Sequence, residues 1–111
     1  MVNKLYVLVR GDLSKSQQAV QATHAVAEFM LYDNRIPCRC GQCEDQLLWK
    51  NETIVLLKVR NLEQLQEWSS KIKSTTNSYN EFYEPDIGNQ QTAIAAWGLT
   101  LESLLKSLPL V

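Results

Sequence analysis

His24 is the only histidine in the chain. It is also the only side chain whose ordinary pKa lies close to neutrality. A general base that takes a proton from water near pH 7 needs such a group. His24 stands in the segment Gln17-Gln18-Ala19-Val20-Gln21-Ala22-Thr23-His24-Ala25. That segment follows an apolar run, Leu5-Tyr6-Val7-Leu8-Val9, and a turn-like link, Arg10-Gly11-Asp12-Leu13-Ser14. Strand-to-helix openings of this kind are where α/β proteins often place ligands and catalytic groups. A second group with chemical potential is Asp86, in the turn-rich stretch Glu84-Pro85-Asp86-Ile87-Gly88-Asn89. It could orient the imidazole or position a water. Lys15 could hold a phosphate. Asn89, Gln90 and Thr92 could donate to a developing oxyanion, and Gln21, one turn before His24, is a candidate substrate contact. Each residue also has a plainer role: a solvated histidine, a turn-stabilising aspartate, an exposed helix-start lysine, and glutamines that are simply good helix formers.

These roles require two distant segments to meet, so the elements that carry them decide the matter. Residues 4–10 read as a continuous apolar strand, central and covered on both faces. Asp12 or Ser14 can cap the helix that follows, from about Ser16 to Tyr32. Ala19, Ala22, Val26, Phe29 and Met30 make one apolar stripe on it. Gln17, Gln21, His24 and Glu28 fall together on the opposite, polar side. Residues 53–59 read as a second buried strand. Asn61 caps a second helix, 62–75, whose stripe is Leu62, Leu65, Trp68 and Ile72. Residues 78–84 and 92–97 read as two further strands, and Thr100 opens a short helix, 101–108, that Pro109 ends. The order is β-α-β-α-β-β-α, an α/β fold with a small mixed four-stranded sheet flanked by helices. The first two strands, joined through a helix, should be parallel. The site hypothesis predicts that the N-terminal half of the first helix meets the 84–92 loop at one edge of this sheet.

The 111 residues suffice for one domain and one core. An apolar fraction of 45% is ordinary, and no apolar run approaches the roughly 20 residues of a membrane span. The N-terminus leads straight into a strand without a signal-peptide pattern, so the expected location is cytoplasmic. A net charge of −1 argues against a general nucleic-acid binder, DNA included. The distribution is uneven: residues 1–43 carry five bases against three acids, and residues 44–90 carry five against eight. A local basic rim near the first helix follows. Three cysteines, Cys38, Cys40 and Cys43, lie in the irregular stretch 33–50. An odd number argues against a disulfide framework. A closed zinc site needs four ligands and the chain has no fourth cysteine, so no metal site is expected. The three tryptophans, Trp49, Trp68 and Trp97, suit core or interface anchors better than base-stacking platforms.

Two stretches resemble a known family. Arg10-Gly11-Asp12-Leu13 with Gln18-Ala19-Val20-Gln21-Ala22-Thr23-His24-Ala25 is similar to the first strand-to-helix segment of class II peptidyl-tRNA hydrolases. Glu84-Pro85-Asp86-Ile87-Gly88-Asn89, followed by Gln91-Thr92-Ala93-Ile94-Ala95, resembles that family's aspartate-glycine loop and final strand. The element order agrees, so the likeness covers nearly the whole chain. It implies an esterase that cleaves the bond between a peptide or N-blocked amino acid and the terminal ribose of tRNA, with no cofactor. It also implies His24 and Asp86 as catalytic groups, the tRNA 3′ end as partner, and often a homodimer. The family usually has several glycines and lysines before the first helix, where this chain has Ser14-Lys15-Ser16-Gln17. It usually has arginine then threonine after the aspartate-glycine pair, where this chain has Asn89 and Gln90. Two other readings therefore stand beside the esterase: a non-catalytic RNA- or nucleotide-binding module on the same fold, and an interaction or metal-sensing module worked by the cysteine loop.

Overall fold

The computed structural model describes residues 3–36, 39–44 and 46–111. The apolar run Lys4–Arg10 forms strand β1, and from Leu5 onward every residue of it is buried. Such a run has no polar face to show to water, so it needs cover on both sides. It lies inside a four-stranded sheet of order β2-β1-β4-β3, where β2 is Thr53–Val59, β3 is Ser78–Glu84 and β4 is Gln90–Trp97. β1 pairs with β2 in parallel and with β4 antiparallel, and β3 pairs antiparallel with β4. The mixed α/β sheet and the element order agree with the sequence reading.

Helix α1 (Lys15–Tyr32) lies on one face of the sheet, and α2 (Leu62–Lys73) and α3 (Leu101–Leu105) on the other. Alternation along the strands sorts the core. Leu5, Val7, Val9, Ala93 and Ala95 meet α1 through Ala22, Ala25 and Phe29. Tyr6, Leu8, Ile94 and Ala96 pack with Leu65, Ile72, Leu101 and Leu105 on the opposite side. Trp49 is fully enclosed in the first core, and its backbone N–H donates to Asn34 Oδ1 at 2.7 Å. Asn34 is itself buried and returns a bond from Nδ2 to the Trp49 carbonyl. Trp68 and Trp97 pack at the core margins.

Three expectations need correction. The buried face of α1 is Gln18, Gln21, Ala22, Ala25 and Phe29, turned by roughly 70° from the expected stripe at 100° per residue. The physical reason is where the helix sits: it packs chiefly over β4, β3 and β1, with β2 at its margin. Ala19 and Val26 accordingly border an apolar groove of about 450 Å³, shared with Val7, Ile54 and Leu56. Second, β2 is an edge strand, not a buried one, with Ile54 and Lys58 exposed. Its outer edge takes the chain's last residues: Lys58 N–H donates to the Pro109 carbonyl at 2.9 Å and Val111 N–H to the Leu56 carbonyl at 3.1 Å. Third, α2 and α3 stop earlier than read, and β4 begins two residues sooner, at Gln90. Among the described residues no helix is long and apolar enough to cross a membrane.

Candidate functional site

Ser14 opens α1, accepting from the Gln17 N–H at 3.2 Å through its hydroxyl. Asp12, the other capping candidate, is engaged elsewhere. Arg10 Nε and Nη2 donate to its two carboxylate oxygens at 3.0 and 2.8 Å. This fork is the strong bidentate geometry of a guanidinium and a carboxylate. It holds the Asp12 carboxyl below the usual carboxylate range. The same guanidinium donates through Nη1 to Gln90 Oε1 at 2.9 Å and to the Gln91 carbonyl at 3.3 Å. Arg10 is thus a buried clamp between the end of β1 and the start of β4.

The 84–92 segment is shaped by three local devices. Pro85 begins a 3-10 turn, Pro85–Ile87, and Glu84 caps it by accepting from the Asp86 N–H at 3.3 Å. Gly88 and Asn89 follow with φ of 61° and 57°. Asparagine tolerates this left-handed region better than most side chains, and the Asn89 N–H closes the turn onto the Glu84 carbonyl at 3.1 Å. The β3–β4 register then shifts opposite Phe82 and Tyr83. This bulge re-aims a side chain. Gln91 reaches Ser69 of α2, with Nε2 donating at 2.8 Å, while the next residue, Thr92, turns to α1.

Gln21 is where the two segments join. Its Oε1 accepts from the Thr92 hydroxyl at 2.7 Å. Its Nε2 donates to Glu84 Oε2 at 3.0 Å and to Gln17 Oε1 at 3.2 Å. Only 1% of Gln21 is exposed, and Thr92 is fully enclosed. The expectation that Gln21 shares a solvated row with His24 is therefore corrected: it is a buried, satisfied amide bond donor and acceptor. His24, one turn on, is exposed, and its ring lies flat on Phe82 of β3 (centroids 4.6 Å apart, planes at 5°). Glu84 is held below the usual carboxylate range, first by the Gln21 bond, then by the Asp86 N–H, with a smaller contribution from the charge on His24.

The helix and the loop thus meet where the sequence reading required. His24, Gln21, Thr92 and the Asp86 turn gather around Glu84. Asp86 itself is exposed at the turn; the carboxylate oriented beside the His24 row is that of Glu84. Lys15 is exposed in the first turn of α1, nine residues and about 13 Å along the axis from His24. Asn89 is exposed at the turn, and Gln90 is tied to Arg10.

Glu84, Phe82 and Arg10 join the candidate site without having been singled out from the sequence. Glu84 and Phe82 were within reach. Residues two apart on a strand share a face, so a β3 ending at Glu84 points both at whichever helix covers that face. Cys40 and Cys43 lie with their sulfurs 3.4 Å apart in the 33–50 stretch; Cys38 lies outside the described residues. No group of three or more His, Cys, Asp or Glu side chains among the described residues is arranged to hold a metal ion.

No family model and no curated protein matches this chain. Solved structures do. One is a protein of unknown function, Atu0240 from Agrobacterium tumefaciens strain C58, with a TM-score of 0.61 at 14% identity. The match covers 100% of this chain and 98% of that one. At this identity the likeness establishes the fold and carries no activity.

Proposed function

We propose that the site hydrolyses the ester between an acyl group, a peptide or an N-blocked amino acid, and the terminal ribose of tRNA. The supporting observation is the Gln21 junction. It ties the helix that carries His24 to the loop that carries Glu84 and Asp86, through bonds of 2.7 and 3.0 Å. An exposed imidazole on the helix that fixes a carboxylate through Gln21 supplies the base and the counter-charge that general-base hydrolysis asks for.

In the proposed reaction His24 takes a proton from a water whose oxygen attacks the ester carbonyl carbon. The Glu84 carboxylate, fixed by Gln21 and the Asp86 N–H, supplies counter-charge to the imidazolium that forms. The acyl carbon–oxygen bond then breaks, and the proton returns from His24 to the ribose oxygen as it leaves. Phe82 keeps the imidazole ring flat against the sheet edge. Thr92 and Gln21 act as positioning residues. Asp86 and Asn89, exposed at the turn, are left to contact water or substrate.

The test is cleavage of an N-blocked aminoacyl-tRNA by the purified protein. His24→Ala and Asp86→Asn should each lower turnover, the former by about 10²–10⁴-fold, with tRNA binding retained. Tight tRNA binding with cleavage no faster than the spontaneous rate would replace the esterase with a non-catalytic RNA-binding role.

A further inference from the structure

A second concavity lies at the same end of the sheet, on the other side of Arg10. It is a groove of about 540 Å³ between the end of β2, the start of α2 and the 107–109 segment. Lys58, Arg60, Gln64 and Ser107 line it, with Trp68 and Pro109 as apolar wall. Its floor includes Gly11, the residue next to the Arg10 clamp. A Cβ there would lie 2.8 Å from Lys58 Cγ and Cδ, so the lysine stem is packed directly over the Gly11 backbone.

The charges around it are unevenly spent. Among the described residues the ion pairs use Lys4, Arg10 and Lys73. Lys58 and Arg60 belong to none of them. Of the nearby acids, Asp12 is paired with Arg10. Two cations outside the ion pairs of the described residues therefore meet hydrogen-bonding side chains and an aromatic wall. A cation pair with polar and apolar neighbours suits a phosphodiester flanked by ribose and base. The net charge of −1 does not oppose this, since a local cation pair acts within a Debye length of about 10 Å.

From this juxtaposition we infer that the Lys58–Arg60 groove binds the phosphodiester backbone of the tRNA acceptor arm, while the acylated end reaches the His24 site across Arg10. The inference rests on the tRNA-ester reading for its substrate but not on catalysis, and its test reads binding alone. Affinity of the full-length protein for deacylated tRNA is measured from 50 to 200 mM salt. Lys58→Gln/Arg60→Gln should weaken binding about tenfold and flatten the log–log salt slope by about 1.5, as loss of two phosphate contacts does. Ser107→Glu adds an anion to the groove wall without removing any packing, and should weaken binding in the same direction. Lys50→Gln, just before the opposite end of β2, is the control. Circular dichroism establishes that each variant is folded. Groove variants that bind tRNA with the affinity and slope of Lys50→Gln would overturn the inference even if the protein cleaves its ester. Binding that depends on the groove in a protein that cleaves nothing would uphold the inference and sink the esterase. Absence of tRNA binding by the unmodified protein overturns both.

Discussion

Thr92→Val separates two roles for one hydroxyl. If Thr92 is an oxyanion donor, its loss lowers turnover and leaves the fold alone. The observed geometry gives the hydroxyl a different job: it donates to Gln21 Oε1 at 2.7 Å, and both residues are sealed from water. Valine has nearly the shape of threonine, so no cavity forms. What remains is an amide oxygen with its donor removed and no room for a replacing water. A lost net hydrogen bond is worth about 1 kcal/mol and an orphaned buried acceptor costs about 1–3 kcal/mol. The estimate for Thr92→Val is therefore about 2–3 kcal/mol, or a fall of about 8–12 °C in Tm for a chain of this length. Thr92→Ser keeps the donor and loses one methyl, near 1 kcal/mol. In the background of Gln21→Met, which has no acceptor to orphan, Thr92→Val should cost under about 0.5 kcal/mol. Urea unfolding of the four proteins closes this double-mutant cycle. Thr92→Val unfolding within about 0.5 kcal/mol of the unmodified protein, while losing 10²-fold or more in ester cleavage, would refute the positioning role and restore the oxyanion donor.

Two further outcomes follow from the same contacts. Glu84 and Asp12 are both held below the usual carboxylate range, by Gln21 with the Asp86 N–H and by Arg10 respectively; carboxyls depressed on folding stabilise the fold above their unfolded pKa, near about 4, and that stabilisation fades as pH falls through the folded value. Urea midpoints should therefore hold from pH 7 to about 5 and then fall, and Glu84→Gln/Asp12→Asn should fall less steeply; an unchanged slope would contradict the assigned contacts. Gly11→Ala should destabilise by about 1–3 kcal/mol, because its Cβ would stand 2.9 Å from the Val59 carbonyl oxygen, a backbone atom already bonded to the Gly11 N–H at 2.6 Å; a variant as stable as the parent would show that β1 and β2 can separate there at little cost.

The strands and helices were legible from local pattern, whether an apolar run, a period or a cap. β1 is an apolar run, and α2 has Asn61 as cap, its side chain accepting from the Gln64 N–H. The meeting of α1 with the 84–92 loop was legible too, through paired motifs. The rotation of α1 was not. Periodicity ranks faces by apolar character, and Ala19, Ala22 and Val26 make the better stripe by that measure. It cannot see that Gln18 and Gln21 have partners waiting: the Leu13 carbonyl, 2.8 Å from Gln18 Nε2, and the Thr92 hydroxyl and Glu84 carboxylate for Gln21. Thr92 reaches α1 only because of the bulge opposite Phe82 and Tyr83. No local pattern in Gln90-Gln91-Thr92-Ala93 announces that Thr92 and Ala93, neighbours on one strand, will face the same helix.

The same rotation has a consequence at both faces of α1. A helix that spends buried positions on two glutamines gives up apolar burial, worth about 25 cal/mol for each Å². It also leaves Ala19, Val26, Ile54 and Leu56 along an open groove. In return, the amides are held by directional bonds to Leu13, Thr92 and Glu84. A fully satisfied buried polar network rigidifies the packing and helps specify it. In the proposed esterase, a helix that presents His24 to the Glu84 loop gains from that constraint. The buried Gln21 amide, bonded to Thr92 and to Glu84, is the part of the helix that carries that constraint.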